Sequence, residues 1–138
     1  IKGKIYDGND EPIIDAMIET WQCDENGNYS SNQGFARIVT DFKTGEYQLK
    51  TIRPGNKINT GGSLSASYIT FWIVARGMNR PLITRMYFLE NDLKNDLMLN
   101  NIKIEDRLNT LIPYTEDNKN FIFNIHLQGK KETIFFEF

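Results

Sequence analysis

With 138 residues, 40% of them apolar and 12% aromatic, the chain is long enough for one hydrophobic core and predicts a single domain over 1–138. Its 16 basic and 18 acidic residues are scattered without long runs, for a formal charge of −2, which disfavours a nucleic-acid partner. A lone Cys23 excludes an internal disulfide, and no apolar run approaches the about 20 residues of a membrane span, so a cytoplasmic protein is expected.

Apolar residues alternate by two far more often than they recur by 3.6, the mark of half-buried strands. Ile1–Tyr6 opens as a strand, and because Ile1 already stands inside it, an N-terminal segment is expected to be missing. "DGNDEP" closes it, with Asp7-Gly8 predicted to supply a positive φ. Ile13–Cys23 reads as one long strand, and Gly34–Thr40 as the next after "DENGN". Tyr47, Leu49 and Thr51 then share a core-facing side. Tyr68–Ala75 is apolar at nearly every position and is predicted to be buried on both faces. Ile83–Phe88 follows closely. Between residues 90 and 112 the pattern changes: Leu93, Leu97, Ile104, Leu108 and Leu111 suit short helical pieces lying over a sheet edge. Phe121, Phe123, Ile125 and Leu127 restore the alternation, and "KKETIFFEF" is predicted to return as a hairpin partner after Gly129. About seven short strands with turn signals between them predict an all-β sandwich with one helical connection.

The chemistry available is narrow. One histidine and one cysteine cannot make a nucleophilic triad or a zinc site. His126, on the polar side of its strand, is expected to be solvated or hydrogen-bonded. Cys23 has no flanking cation to lower its pKa and is expected to be buried and inert. Acids such as Asp24-Glu25 and Glu105-Asp106 read as solvated loops. Trp21 and Trp72 lie in strands, where core or subunit-interface packing is the ordinary fate of tryptophan.

Four segments in order, "GKIYDGNDEPIIDAMIETWQCDENGNY", "GFARIVTDFKTGEYQLKTIRPG", "ITFWIVARGMNRPLITRMYF" and "FIFNIHLQGKKETIFFEF", resemble the intradiol ring-cleaving dioxygenases over essentially the whole chain. "ARG", "TRMYF" and the ending "LQGKKETIFFEF" resemble most the alpha-type chains of the heteromeric members that cleave protocatechuate, 3,4-dihydroxybenzoate, to 3-carboxy-cis,cis-muconate with O2. The resemblance implies a β-sandwich and a hetero-oligomer in which ferric iron sits in a beta-type partner, held there by two tyrosines and two histidines. Here the first tyrosine position is Tyr29, the second falls near Lys57, and the His-x-His pair falls on Tyr68 and Thr70, so three of the four ligands are lost. An ammonium and a hydroxyl cannot stand in for a phenolate and an imidazole on ferric iron at neutral pH. No metal is therefore expected in this chain, nor any catalytic residue. The family's alpha chains carry a histidine where this sequence has Tyr68, and their Gly-Pro-Tyr segment has no match here.

The resemblance also implies that Arg76, in "ARG" after the central strand, reaches the partner's pocket. A planar guanidinium can bind a substrate carboxylate there with two parallel hydrogen bonds. The alternative is that Arg76 caps its strand or pairs with a nearby acid. Tyr29 is either a relic ligand or a loop residue resting on the core. For Arg37 and Arg85, inter-strand salt bridges are expected. Against the dioxygenase-subunit reading stands a non-enzymatic, transthyretin-like β-sandwich binding module.

Overall fold

The computed structural model describes residues 1–58, 60–88, 93, 96–102 and 105–138, with 105 and 106 in their backbone alone. The strands are β1 (Lys2–Tyr6), β2 (Met17–Trp21), β3 (Phe35–Val39), β4 (Glu46–Gln48), β5 (Tyr68–Val74), β6 (Leu82–Tyr87) and β7 (Ile125–His126). The helical pieces are α1 (Leu97–Asn100), α2 (Glu105–Leu108) and a 3-10 turn at Asn109–Leu111. Two sheets face each other, one ordered β4-β1-β7 and the other β3-β2-β5-β6. The all-β sandwich expected from the alternation is the architecture found.

Between the sheets lie Ile5, Tyr47, Phe123 and Ile125 from one side and Ile18, Ile69, Phe71, Ile73 and Met86 from the other, all fully buried or nearly so. Burying each such side chain stabilises the fold by about 1.5–3 kcal/mol, which is why alternation fixes the facing of every strand. The helical connection packs a second cluster of Leu99, Leu111, Leu93 and Leu108 against Tyr87, at the open edge strand β6. Asp96 anchors it: the buried carboxylate accepts the Met98 and Leu99 N–H groups as an N-cap and the Ala66 N–H at 3.2 Å. Ile104 lies outside the described residues.

Several expectations are corrected. The stretch Ile13–Cys23 is not one strand, because the chain changes sheets inside it. The Ile13 N–H bonds Ile5 O at 2.8 Å on β1, whereas residues 17–21 pair with β3 and β5. In the first turn the positive φ belongs to Asp10 (61°), while Asp7 Oδ1 accepts the N–H groups of Asn9 and Glu11. Thr51 is exposed rather than core-facing, and its hydroxyl donates to Gln22 Oε1 at 2.8 Å. The tail forms no hairpin strand: after one bond from Thr133 N–H to His126 O it crosses to the other sheet, where the Phe136 N–H meets Ile83 O. Most consequential, β5 is buried on one face only. Tyr68, Thr70 and Trp72 point outward, and Trp72 is 44% exposed.

Candidate functional site

The outward face of the four-stranded sheet collects the residues that matter. Antiparallel partners share a face, so the register lays Phe35, Trp21, Thr70 and Arg85 in one row across β3, β2, β5 and β6. The neighbouring row holds Arg37, Glu19, Trp72 and Ile83. Trp21, Phe35, Trp72, Thr70, Thr20 and Glu19 line an open groove of about 350 Å3, its walls mostly apolar. Glu19 is neutralised by Arg37, whose Nη2 lies 2.6 Å from its Oε1. That inter-strand bridge was expected; the exposure of both tryptophans rules out a core role for them.

At the Tyr68 end of this face, three of the four positions singled out by the family resemblance, Tyr29, Lys57 and Tyr68, converge. The Tyr29 hydroxyl donates to the Tyr68 hydroxyl at 3.3 Å, and Lys57 Nζ stands 5.3 Å from the centre of the Tyr29 ring. Tyr29 also stacks on Trp21, with ring centres 6.4 Å apart. Thr70, the fourth position, follows two residues along β5 on the same face. Burial, and then the hydrogen bond with Tyr68, hold the Tyr29 phenol well above its ordinary pKa.

Arg85 completes the cluster, and among the described residues it has no salt-bridge partner. Its guanidinium carbon lies 4.1 Å from the Tyr68 ring centre, with the Phe136 and Phe138 rings at 5.7 and 5.4 Å. Its Nη1 donates to the Tyr87 hydroxyl at 3.3 Å, and its Nε is buried without a hydrogen-bond partner. A cation caged by aromatic rings gains from the ring quadrupoles without needing a carboxylate. Sequence reasoning paired Arg85 with an acid; the signal it passed over was parity, since Arg85 sits opposite Thr70 and shares its face. Among the described residues no group of three or more His, Cys, Asp or Glu could hold a metal ion.

Arg76 is elsewhere. Eight residues beyond Tyr68, at about 3.3 Å per residue, it lies at the opposite end of β5, about 26 Å away. It occupies the turn closed by the Met78 N–H to Ala75 O, where Gly77 takes the positive φ of 84°. Continuing the β2–β5 register places Asp15 across from it, and Arg76 Nη2 lies 3.1 Å from Asp15 Oδ2 with the arginine side chain 87% exposed. His126 is half-buried, stacked on Tyr6 at 4.8 Å, with Nδ1 3.6 Å from Asp10 Oδ1. Cys23 is buried; its thiol donates to Gly55 O at 3.4 Å, and burial raises its pKa.

The Dioxygenase_C family model, described as Dioxygenase, matches residues 1–129. The chain belongs to the intradiol dioxygenases. Intradiol relatives include the protocatechuate 3,4-dioxygenase alpha chain of Pseudomonas putida, 36% identical over 148 residues, which span 99% of this chain and 74% of the relative. The alpha chain of that name from Burkholderia cepacia is 27% identical over 151 residues, with 98% and 74% covered. Solved structures share the fold. The dioxygenase domain of a dioxygenase carbohydrate-binding protein fusion from Streptomyces sp. SirexAA-E superposes with a TM-score of 0.71 at 19% identity, over 96% of this chain and 78% of that one. Catechol 1,2-dioxygenase from Pseudomonas arvilla C-1 gives 0.70 at 20% identity, over 91% and 50%. Membership places the chain among oxidoreductases, as a dioxygenase subunit.

Proposed function

We propose that this chain is the iron-free, alpha-type subunit of a protocatechuate 3,4-dioxygenase, and that a beta-type partner carries the ferric iron on which the ring is opened. The observation that carries the reading is the make-up of the relic centre. Where the family's ligand pattern calls for two phenolates and two imidazoles, Tyr29, Lys57 and Tyr68 stand together with Thr70 beside them, and the guanidinium of Arg85 covers Tyr68. The residues do not fit the metal. Forming a phenolate at Tyr29 is opposed by burial, and two cations, Lys57 and Arg85, would repel a ferric ion. The 36% identity to an alpha chain supports the same reading.

Such a subunit contributes surface and charge. The groove of Trp21, Phe35 and Trp72 offers the partner an apolar seat, the kind of surface that aromatic residues form at the centre of stable interfaces. Arg76, in the turn after β5 and almost wholly exposed, extends toward the partner's pocket to bind the substrate carboxylate. Iron analysis of the chain alone and after co-expression with the beta-type chain tests the reading. The expected result is no tightly held iron in the chain alone and about one ferric ion per alpha–beta pair, coloured by tyrosinate-to-iron charge transfer. About one iron per isolated chain overturns it, and so does a chain that stays monomeric and colourless beside the partner, the behaviour of a free-standing β-sandwich binding module.

A further inference from the structure

A cavity of about 670 Å3 opens where the ends of β1 and β4 meet the residue after β6 and the approach to β7. That volume is within the range of sites that hold small organic molecules. Its floor is apolar and fixed, made by the buried side chains of Leu49, Phe88 and Phe121, the two rings meeting edge to face at 5.1 Å. Its rim is cationic, with Lys2, Lys50 and Lys119 around the mouth, and no described lining residue is acidic. The guanidinium of Arg53 forms a wall, 4.9 and 5.6 Å from the Phe88 and Phe121 ring centres and hydrogen-bonded to Asn118 Oδ1 at 2.8 Å.

Asp117 stands beside this rim but is engaged within its own turn. One carboxylate oxygen accepts the N–H groups of Lys119 and Asn120, and the other accepts the Asn120 side-chain amide. Three ammonium groups around an apolar floor attract a molecule that is anionic at one end and apolar at the other. We infer that this cavity is a binding site for a small organic carboxylate with an aromatic or branched apolar body, its ring on the Phe88–Phe121 floor and its charge among Lys2, Lys50 and Lys119. The inference uses none of the residues lining the groove of Trp21 and Trp72 and does not depend on the subunit role.

Backbone amide mapping by NMR on the 15N-labelled chain, titrated separately with benzoate, benzyl alcohol and inorganic phosphate, tests it. Benzoate should shift the amides of Lys50, Thr51, Arg53 and Phe121 saturably and leave those of Trp21 and Thr70 in place. Benzyl alcohol lacks the charge and phosphate lacks the ring, so each should bind at least about tenfold more weakly. The double variant Lys50→Glu/Lys119→Glu should weaken benzoate by about tenfold or more, the range of a charge-assisted contact, while the rest of its spectrum reports an unchanged fold. Benzyl alcohol or phosphate binding as tightly as benzoate overturns the ligand class. Shifts centred on Trp21 and Thr70, no saturable shift, or unchanged benzoate affinity in the charge-reversed variant overturns the site.

Discussion

Arg76 spends its charge on Asp15 in the isolated chain, and a pair so exposed contributes at most about 1 kcal/mol to folding. This separates a scaffold role from a binding role. In the alpha–beta dioxygenase proposed above, Arg76→Ala should raise KM for protocatechuate by about 10- to 150-fold, the equivalent of a charge-assisted hydrogen bond of about 1.5–3 kcal/mol. Under the proposed role, in which the guanidinium would hold the carboxylate equally in ground and transition states, kcat should stay nearly unchanged. Catechol, which lacks the carboxylate, should be unaffected, and so should protocatechuate turnover in Asp15→Ala. Steady-state kinetics on both substrates decides: equal losses on the two, or equal losses from the two variants, would make Arg76 a strut paired with Asp15. The residue types at Tyr29, Lys57, Tyr68 and Thr70 were legible in the sequence. That Tyr29 and Tyr68 share a hydrogen bond was not, because residues 39 apart in sequence meet through a loop whose path no alternation pattern specifies. Arg85 was misjudged because charge complementarity points to a carboxylate, whereas the tertiary fold surrounds it with rings.

Among the elements, β1 shows most sharply how the sandwich limits substitution. It lies between β4, antiparallel, and β7, parallel, and Gly3 passes so close to the Phe123 carbonyl and the Tyr47 hydroxyl that a methyl group there would collide with backbone. The Tyr47 hydroxyl itself donates to that carbonyl, locking the strand to the approach of β7. Gly3→Ala should therefore cost about 3 kcal/mol, the upper end for overpacking, because the obstacle is main chain that cannot rotate away. Urea unfolding measures it, and a change within 0.5 kcal/mol, about the scatter of surface substitutions, would show that β1 can move outward at no cost. Apolar patterning placed β1, β3, β5 and β6 to within a residue or two of the strands found. It overextended β2, where the apolar pattern runs on from Ile13 although hydrogen bonding passes from one sheet to the other. It also overburied β5: an outward row of Tyr68, Thr70 and Trp72 looks apolar in sequence whether another layer of the same chain covers it or leaves it open.

At the scale of the whole molecule, phenols are buried as well as hydrocarbon, Tyr47 between the two sheets and Tyr87 beneath the helical connection, and this ties the fold to pH. Tyr47 and Tyr87 are both fully buried. Burial alone holds the Tyr47 phenol far above its ordinary value of 10.0, and burial, partly offset by the Arg85 hydrogen bond and charge, pushes Tyr87 up to about 12. For each, the folded pKa exceeds the unfolded one. The folded chain therefore keeps the proton where the unfolded chain loses it, the stabilisation is complete below about pH 10, and it is lost as pH rises toward the folded pKa. Between about pH 10 and 12 each phenol removes about 1.4 kcal/mol per pH unit, and the pair about 2.7. Two pH units then consume about 5 kcal/mol, as much as the whole stability of many domains. Urea midpoints at pH 9, 10, 11 and 11.5 should thus fall steeply above 10. Tyr87→Phe should reduce the slope whatever it does to stability at neutral pH, because only the slope counts protons, while Tyr47 and Tyr29, whose phenols are also raised, supply the remainder. A midpoint that stays level to pH 11.5, or a slope unchanged in Tyr87→Phe, would mean that the buried phenols reach water through local openings before the chain unfolds as one unit.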